Sequence, residues 1–377
     1  MDYSKKALKE HLKLRGKLEI KLKKDLKSRD DLSTYYTPGV GAVSSYIYEH
    51  PDEAKNYTWL NNSLAVISDG SAVLGLGNIG PKASLPVMEG KCQLFKTFAN
   101  IDAIPIILDV HTVDEIVDAI SAIAPSFGAI NLEDIKAPEC FEIEKKLIER
   151  LNIPVMHDDQ HGTAIVVLAG LINACKVTKR ELGKSKVVII GAGAAGVAIA
   201  KIIHSYSKAN ITTIDSQGII TNKRPDLTPE KKLLASFNKI DHQGTDIKAA
   251  LKDADIFIGV SKSNLLTEAD IKLMAKDPII FAMANPNPEI MPDIALKAGA
   301  AVVATGRSDF PNQINNVLAF PGIFRGALDN EVNKITEEHK IKTAEALASI
   351  VKHPTSQEII PSPLNKDVVS HISRIIR

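Results

Sequence analysis

The chain has 377 residues, enough for two domains each with its own core. It is 45% hydrophobic and 24% charged with a formal net charge of +1, ordinary values for a soluble protein that give no drive toward nucleic acid or a membrane partner. Cys92, Cys140 and Cys175 lack paired or metal-ligand spacing, there is no secretory h-region, and no stretch reaches about 18 apolar residues, so a cytoplasmic protein is expected.

Residues 1–30 are lysine-rich, with Leu8, Leu12, Leu18, Leu22 and Leu26 largely at four-residue steps. That spacing predicts an amphipathic helix or helix pair, broken near Gly16. A solvated basic face on a dimerisation arm is favoured over a nucleic-acid patch. From 31 to about 150 short strands and helices alternate, with strands at 63–67 and 103–108 and helices at 87–99 and 141–151. Residues 152–156 read as a strand and 162–176 as a buried apolar helix. From 186 a βαβ rhythm sets in, with strands near 186–190, 211–214, 255–260, 278–283 and 300–304. The tail from about 315 reads as helical, with breaks at Pro321-Gly322 and between Pro361 and Pro363. The expected fold is α/β: an arm over 1–30, an N-terminal α/β catalytic domain over 31–155, and a C-terminal Rossmann-type doubly wound parallel sheet over 156–377 ending in helices.

Two acidic pairs stand out, Glu133-Asp134 and Asp158-Asp159. Each follows a short apolar run and precedes a helix-like stretch, where loops at strand ends carry ligands. Carboxylates without a nearby cysteine suit a hard cation, Mg²⁺ or Mn²⁺. A lone pair would read as a helix cap; two pairs make a site. Downstream, a β-branched strand at 186–190 runs into Gly191-Ala192-Gly193-Ala194-Ala195-Gly196 and an alanine-rich helix. This is the context that a dinucleotide fingerprint requires. Gly191 serves the tight turn, Gly193 clears the backbone for a pyrophosphate, and Gly196 allows close helix–strand packing, while Ala194 and Ala195 begin a helix whose free N–H groups face the phosphates. Asp215, at the end of the next strand, suits a ribose and favours NAD; Lys223 and Arg224 leave NADP open.

Further motifs appear in a fixed order: Tyr36-Thr37-Pro38-Gly39-Val40, the glycine-rich run from Ser68 to Gly80, Glu89-Gly90-Lys91, Ala284-Asn285-Pro286, and Asn315-Asn316 leading to Phe320-Pro321-Gly322. With the acidic pairs and the fingerprint between them, the chain resembles malic enzyme over nearly its whole length, specifically the short bacterial form. The resemblance implies oxidative decarboxylation of (S)-malate to pyruvate and CO₂ with reduction of NAD(P)⁺, dependent on Mg²⁺ or Mn²⁺. It implies Lys91 as the base, with an apolar setting among Val87, Met88, Leu94 and Phe95 to bring its pKa toward neutrality. Tyr36 becomes the acid that protonates C3, its pKa lowered by Lys91, while Tyr35 is packing. Glu133, Asp134 and Asp159 become metal ligands, with Asp158 behind them. Asn285, Asn315 and Asn316 become substrate-contacting amides, Asn285 also bordering the cofactor. A homodimer or higher even oligomer follows.

One departure concerns Ala72, where the long form carries a malate-gripping arginine; the backbone N–H groups of residues 75–80 are the expected substitute. No phosphotransacetylase-like extension is expected after residue 377. Two other readings fit the same residues. One is a malolactic enzyme that retains NAD and yields lactate, against which the short-form resemblance weighs. The other is a catalytically silent nucleotide-binding regulator, against which the intact Tyr36, Lys91 and acidic set weigh.

Overall fold

The computed structural model describes residues 3–73, 75–239 and 246–377. Two sheets organise them. The first contains β1 (Ser63–Ser68), β2 (Asp102–Ile107), β3 (Ala129–Leu132) and β4 (Val155–His157), all parallel, in the order β2-β1-β3-β4. The second contains β5 (Lys186–Ile190), β6 (Asn210–Asp215), β7 (Gly218–Ile219), β8 (Ile256–Gly259), β9 (Ile279–Ala282) and β10 (Val302–Thr305), in the order β10-β9-β8-β5-β6-β7. Among the described strands of this sheet, β7 alone runs antiparallel, pairing Gly218 with Asp215. The five long strands match the expected βαβ series. The near-continuous Val/Ile runs of β1, β5 and β9 follow from burial on both faces, as parallel sheets require.

Three elements depart from expectation. The helix expected from residue 87 begins at Pro81, where a proline at the first helical position loses no hydrogen bond, and runs to Ala99. A helix over Val113–Ile123, closed by a Thr112/Glu115 capping box, went unanticipated. Residues 158–159 lie in the first turn of the Asp158–Thr178 helix and not in a loop before it.

That helix holds the molecule together. Its apolar residues point in every direction because both sheets pack on it, and one buried cluster passes through it from Leu64 and Val66 to Val187 and Ile189. By length and composition it could cross a bilayer, but 67% of the relevant stretch is buried inside the protein. The helix Phe320–Asp329 returns to the Pro81–Ala99 helix, where Phe320 and Phe324 meet Phe95 tilted and edge-on at 4.7 and 5.6 Å between ring centroids.

The arm is only partly helical. A helix spans Tyr3–Leu14 and ends at Gly16, whose φ of +107° suits glycine. Residues 18, 22 and 26 are not helical, so the expected leucine stripe is interrupted; residues 1–2 lie outside the described residues. The Lys17 N–H donates to Glu89 at 3.2 Å, fastening the chain to the Pro81–Ala99 helix. Two further helices follow, Arg29–Tyr35, capped by Ser28, and Gly39–Glu49. None of the three buries a single residue.

Candidate active site

Register in the first sheet brings the acidic pairs together. Leu132 of β3 lies opposite His157 of β4, so the residues that follow each strand emerge side by side. Glu133, Asp134 and Asp159 each offer an oxygen within 4.8 Å of the others. Asp134 adopts a left-handed φ of +54°, uncommon for a non-glycine residue and a form of strain found at functional sites. Its N–H donates to Asp159 Oδ2 at 2.7 Å. The all-oxygen donor set fits a hard divalent cation. Four carboxylates cluster here, with Lys91 against Glu133 and Asp158 and His157 against Asp159.

Lys91 sits at the centre of the cluster. Its Nζ lies 2.7 Å from Asp158 and 2.8 Å from Glu133, and 4.3 Å from the centroid of the Phe320 ring. Burial alone would lower the lysine pKa, but Asp158 and Glu133 outweigh it and hold the ammonium above its ordinary range. The apolar neighbours adjacent in sequence therefore do not set this pKa alone, because carboxylates stand against the ammonium as well. Burial raises the Glu133 and Asp158 carboxyls against the pull of Lys91. Asp158 belongs to the lysine and not to the triad. A Cβ at Gly162 would come 1.8 Å from its Oδ1, so only glycine lets this carboxylate fold against its own helix.

Beneath the triad lies a buried polar network that the motifs did not single out. His157, fully buried, approaches Asp159 Oδ2 at 2.9 Å through Nε2, and its Nδ1 lies 2.9 Å from Gln160 Nε2. Glu144 accepts the His157 N–H at 2.8 Å and meets His161 Nε2 at 2.8 Å, while Lys340 lies 3.5 Å from that nitrogen. Burial would raise the Glu144 carboxyl, yet His161, Lys340 and His157 hold it down at about 2. For His161, burial and Lys340 outweigh the pull of Glu144 and lower its pKa. The signal for His157 lay beside the second acidic pair; Lys340, on a distant helix, gave none.

The fingerprint glycines differ in what they make room for. A Cβ at Gly196 would meet the Gly191 carbonyl oxygen at 1.9 Å, so helix and turn touch there. Gly191 needs its φ of +115° and would meet Val260. At Gly193 a Cβ would meet nothing, and that open space is what an incoming pyrophosphate requires. Ala194 and Ala195 open the Ala194–Ser207 helix. Asp215 is less available than expected. Its carboxylate accepts from Arg224 at 2.7 and 2.9 Å and from the Gln217 N–H at 2.9 Å, and pairs with Lys231 at 2.9 Å. A carboxylate offers about four acceptor sites, and these are filled. Arg224 is tied in turn to Asp226 and is not a free phosphate ligand.

A cavity of about 540 Å³ joins the two regions, lined by Asp134, Asp159, Gly193, Ala194, Asn285, Asn315 and Asn316 among others. Asn315 spends its side-chain oxygen on the Val317 N–H at 3.0 Å, which caps the Asn316–Leu318 turn. Ala72 also lines the cavity. Of the backbone donors expected to replace an arginine there, Leu76 and Gly77 already bond to Val73, and Ile79 and Gly80 to Gly70. Glu289, which sequence reading passed over beside two prolines, is fully buried and accepts from Ser261 at 3.2 Å and Ala284 at 3.0 Å, tying together the loops after β8 and β9.

Among the described residues, Tyr36 is not one of those that meet Lys91 or line the cavity. It is 68% exposed, and its hydroxyl has no hydrogen-bond partner among the described residues. The groups around the Lys91 ammonium are Glu133, Asp158 and Phe320.

Comparison with known proteins agrees with this geometry. The family models for the malic enzyme N-terminal domain and the malic enzyme NAD binding domain match residues 15–148 and 160–376. The bifunctional malic/malolactic enzyme of Bacillus subtilis is 51% identical, over 100% of this chain and 92% of its own length. The NADP-dependent malic enzyme of Halomonas elongata is 46% identical over 97% of this chain and 86% of its own. The crystal structure of the NAD-dependent malic enzyme of Thermotoga maritima superposes with a TM-score of 0.95 at 45% identity, covering 98% of each chain.

Two predictions follow from the buried charges. The Glu144 carboxyl lies below its ordinary 4.5, so the stability it contributes is complete above that pH and is lost as pH falls toward about 2. Glu144→Gln should reduce unfolding stability at neutral pH by on the order of 3 kcal/mol and flatten the acid limb. Urea unfolding at neutral pH and near pH 3 measures both; wild-type stability at neutral pH would refute the assignment. The second concerns Asp215. Arg224→Ala should free its carboxylate for ribose hydroxyls and repel a 2′-phosphate, moving the NAD/NADP ratio of kcat/KM toward NAD by about 10-fold or more. An unchanged ratio in steady-state assays would show that the clamp does not select the cofactor.

Proposed function

The chain belongs to the malic enzyme family, and we propose that it oxidatively decarboxylates (S)-malate to pyruvate and CO₂ with Lys91 as base, Tyr36 as acid, and Glu133, Asp134 and Asp159 as ligands of Mg²⁺ or Mn²⁺. The observation that carries this reading is Lys91 bonded to both acidic pairs at once, through Glu133 and Asp158, beside a dinucleotide fold. The catalytic part then falls in residues 31–155 and the NAD(P)-binding part in 156–377.

When bound, the cation would polarise the C2 oxygen and offset the charge left by departing CO₂, and the nicotinamide would accept the C2 hydride. The chain's own residues must handle the protons. Lys91 can take the C2 hydroxyl proton only after losing its own. Asp158 lies 2.7 Å from Nζ, and its burial raises its affinity for a proton, so it is the acceptor in reach. Glu133, once shared with a bound cation, would attract the Lys91 ammonium less strongly. Asn285 and Asn316 donate from their amides to the substrate carboxylates, while Asn315 holds the turn that presents Asn316. His157 fixes the rotamer of Asp159, as second partners of ligating carboxylates do. Tyr36 supplies the proton to C3 after CO₂ has left.

A second reading is favoured by one observation. The Bacillus subtilis relative carries malic and malolactic activities in its name at nearly the same length, so a short chain does not count against lactate formation. Incubation with malate, Mn²⁺ and NAD⁺ or NADP⁺ separates the two: pyruvate with stoichiometric NADH or NADPH marks the first, lactate without net reduction the second. Neither product would sink the proposal.

Lys91→Ala should lower kcat at least about 10²-fold while leaving the Kd for the dinucleotide nearly unchanged; near-normal kcat would refute the base. Asp134→Asn and Asp159→Asn should raise the Mn²⁺ concentration needed for half-maximal activity strongly, each removing a hard anionic ligand, whereas Asp158→Asn should act chiefly on kcat. In a Mn²⁺ titration, greater sensitivity at Asp158 than at Asp159 would reverse their roles.

A further inference from the structure

We propose that Glu289 is a positioning residue for the substrate: its buried carboxylate closes the loop that carries Asn285 and sets how far that amide reaches into the cavity. The inference rests on the reading of Asn285 as a donor to a malate carboxylate.

Asn285 follows β9 and lines the cavity with Asn316. Its own bonding does not fix the side chain: Nδ2 lies 3.5 Å from the Met283 carbonyl oxygen, at the outer limit of a hydrogen bond. A Cβ at Gly306 would come 3.3 Å from Nδ2, and one at Gly75 would come 3.5 Å from the Asn285 carbonyl oxygen. The residue thus stands where the glycine-rich loop after β1 meets the loops of the second sheet. Its placement is a property of the loop it sits on. That loop, Asn285-Pro286-Asn287-Pro288, contains two prolines with no N–H to give.

Glu289 supplies the missing hold. It is fully buried, and its two carboxylate oxygens are divided between two loops. Oε2 accepts the N–H of Ala284, the residue just before Asn285, at 3.0 Å, which closes the loop on itself. Oε1 accepts the Ser261 N–H in the loop after β8 at 3.2 Å. Two backbone contacts run alongside: the Glu289 carbonyl accepts from Leu266 at 3.0 Å and the Pro288 carbonyl from Asn264 at 3.0 Å.

The loop after β8 is itself fixed. The Val260 N–H donates at 2.9 Å to the carbonyl of Ile190, the last residue of β5, which leads into the dinucleotide glycines. Asn285 is therefore held at a set distance from the dinucleotide cradle through one side chain. Hydride transfer needs that relation, since malate and nicotinamide must meet in a fixed geometry. Space for the side chain is reserved: a Cβ at Gly259 would lie 2.2 Å from the Glu289 carboxyl carbon. Burial raises this carboxyl against the pull of the Ala284 and Ser261 N–H groups. A buried carboxyl is a costly way to fill a space that an apolar side chain could fill, so its two accepting oxygens are the reason for it.

The test is a double-mutant cycle on kcat/KM for malate, using the wild-type protein, Glu289→Gln, Asn285→Ala and the pair. Glutamine keeps the volume but offers one acceptor oxygen in place of two, so one loop loses its partner. Glu289→Gln should lower kcat/KM about 10-fold or more. In the Asn285→Ala background the same substitution should cost little further, because the amide that it positions is gone. Wild-type kcat/KM in Glu289→Gln overturns the proposal. Losses that multiply in the pair overturn it as well, since the carboxylate then acts on the fold at large and not through Asn285. The failure of the underlying reading looks different: Asn285→Ala with wild-type kcat/KM removes the role of the amide whatever Glu289 does. Thermal unfolding and Mn²⁺ binding establish that each variant folds. Should Glu289→Gln fail to fold, Glu289→Asp keeps the charge and both oxygens on a side chain one methylene shorter and takes its place in the same cycle.

Discussion

A lysine ammonium buried between two carboxylates is the constraint on which the site depends. Lys91 comes from the Pro81–Ala99 helix, Glu133 from the end of β3, and Asp158 from the first turn after β4. None of the three could be buried alone as a charge, since removing one partner of a buried pair costs about 3–5 kcal/mol. The contact therefore locks a helix to two strand ends, and in doing so sets where the triad of Glu133, Asp134 and Asp159 stands. Phe320 lies against the ammonium as well and brings the helix Phe320–Asp329 into the same arrangement. The residues nearest the chemistry are thus also those that join the ends of the chain to its middle.

The second constraint is the Asp158–Thr178 helix. Its first turn carries two acids of the site and its body is the shared core of both sheets. The distance between the acid cluster and the dinucleotide cradle is consequently set by packed side chains and not by a linker. Close packing leaves such a helix little freedom to slide, because each shift would open voids on one side and clashes on the other. Gly170 illustrates the tolerance: a Cβ there would meet Ile314 at 2.8 Å and Phe281 at 3.1 Å.

What the sequence made legible was local. The fingerprint carries its own context, a β-branched strand before it and an alanine helix after it, and the strands of the second sheet follow from continuous apolar runs. The acidic pairs were legible as chemistry because their residue types are costly to place by chance at two strand ends. What stayed hidden was non-local. The two-residue strand β7 is too short to have a period. The carboxylate partner of Lys91 stays hidden because Asp158 lies 67 residues away, while the neighbours adjacent in sequence are apolar. Asp215 was read as free because nothing in its own strand announces Arg224 and Lys231 folding back on it. For Tyr36 the motif named the residue, but nothing in it announced that the side chain would be exposed.

The polar layer beneath the triad accounts for how a cluster of four acids can exist before any cation arrives. Lys91 offsets Glu133 and Asp158 from one side, and His157 offsets Asp159 from below, where burial would lower its pKa and Asp159 with Cys140 raise it. Glu144 then anchors the His157 backbone, with His161 and Lys340 around its carboxylate. Each charge added below the site is itself paired with another further in, so the desolvation cost is distributed over a chain of contacts and no single one carries it. Asp134 and Asp159 are the two members of the triad that line the cavity wall. A divalent cation held there would meet oxygens already in place, and its binding would add to the stability of the fold that arranges them.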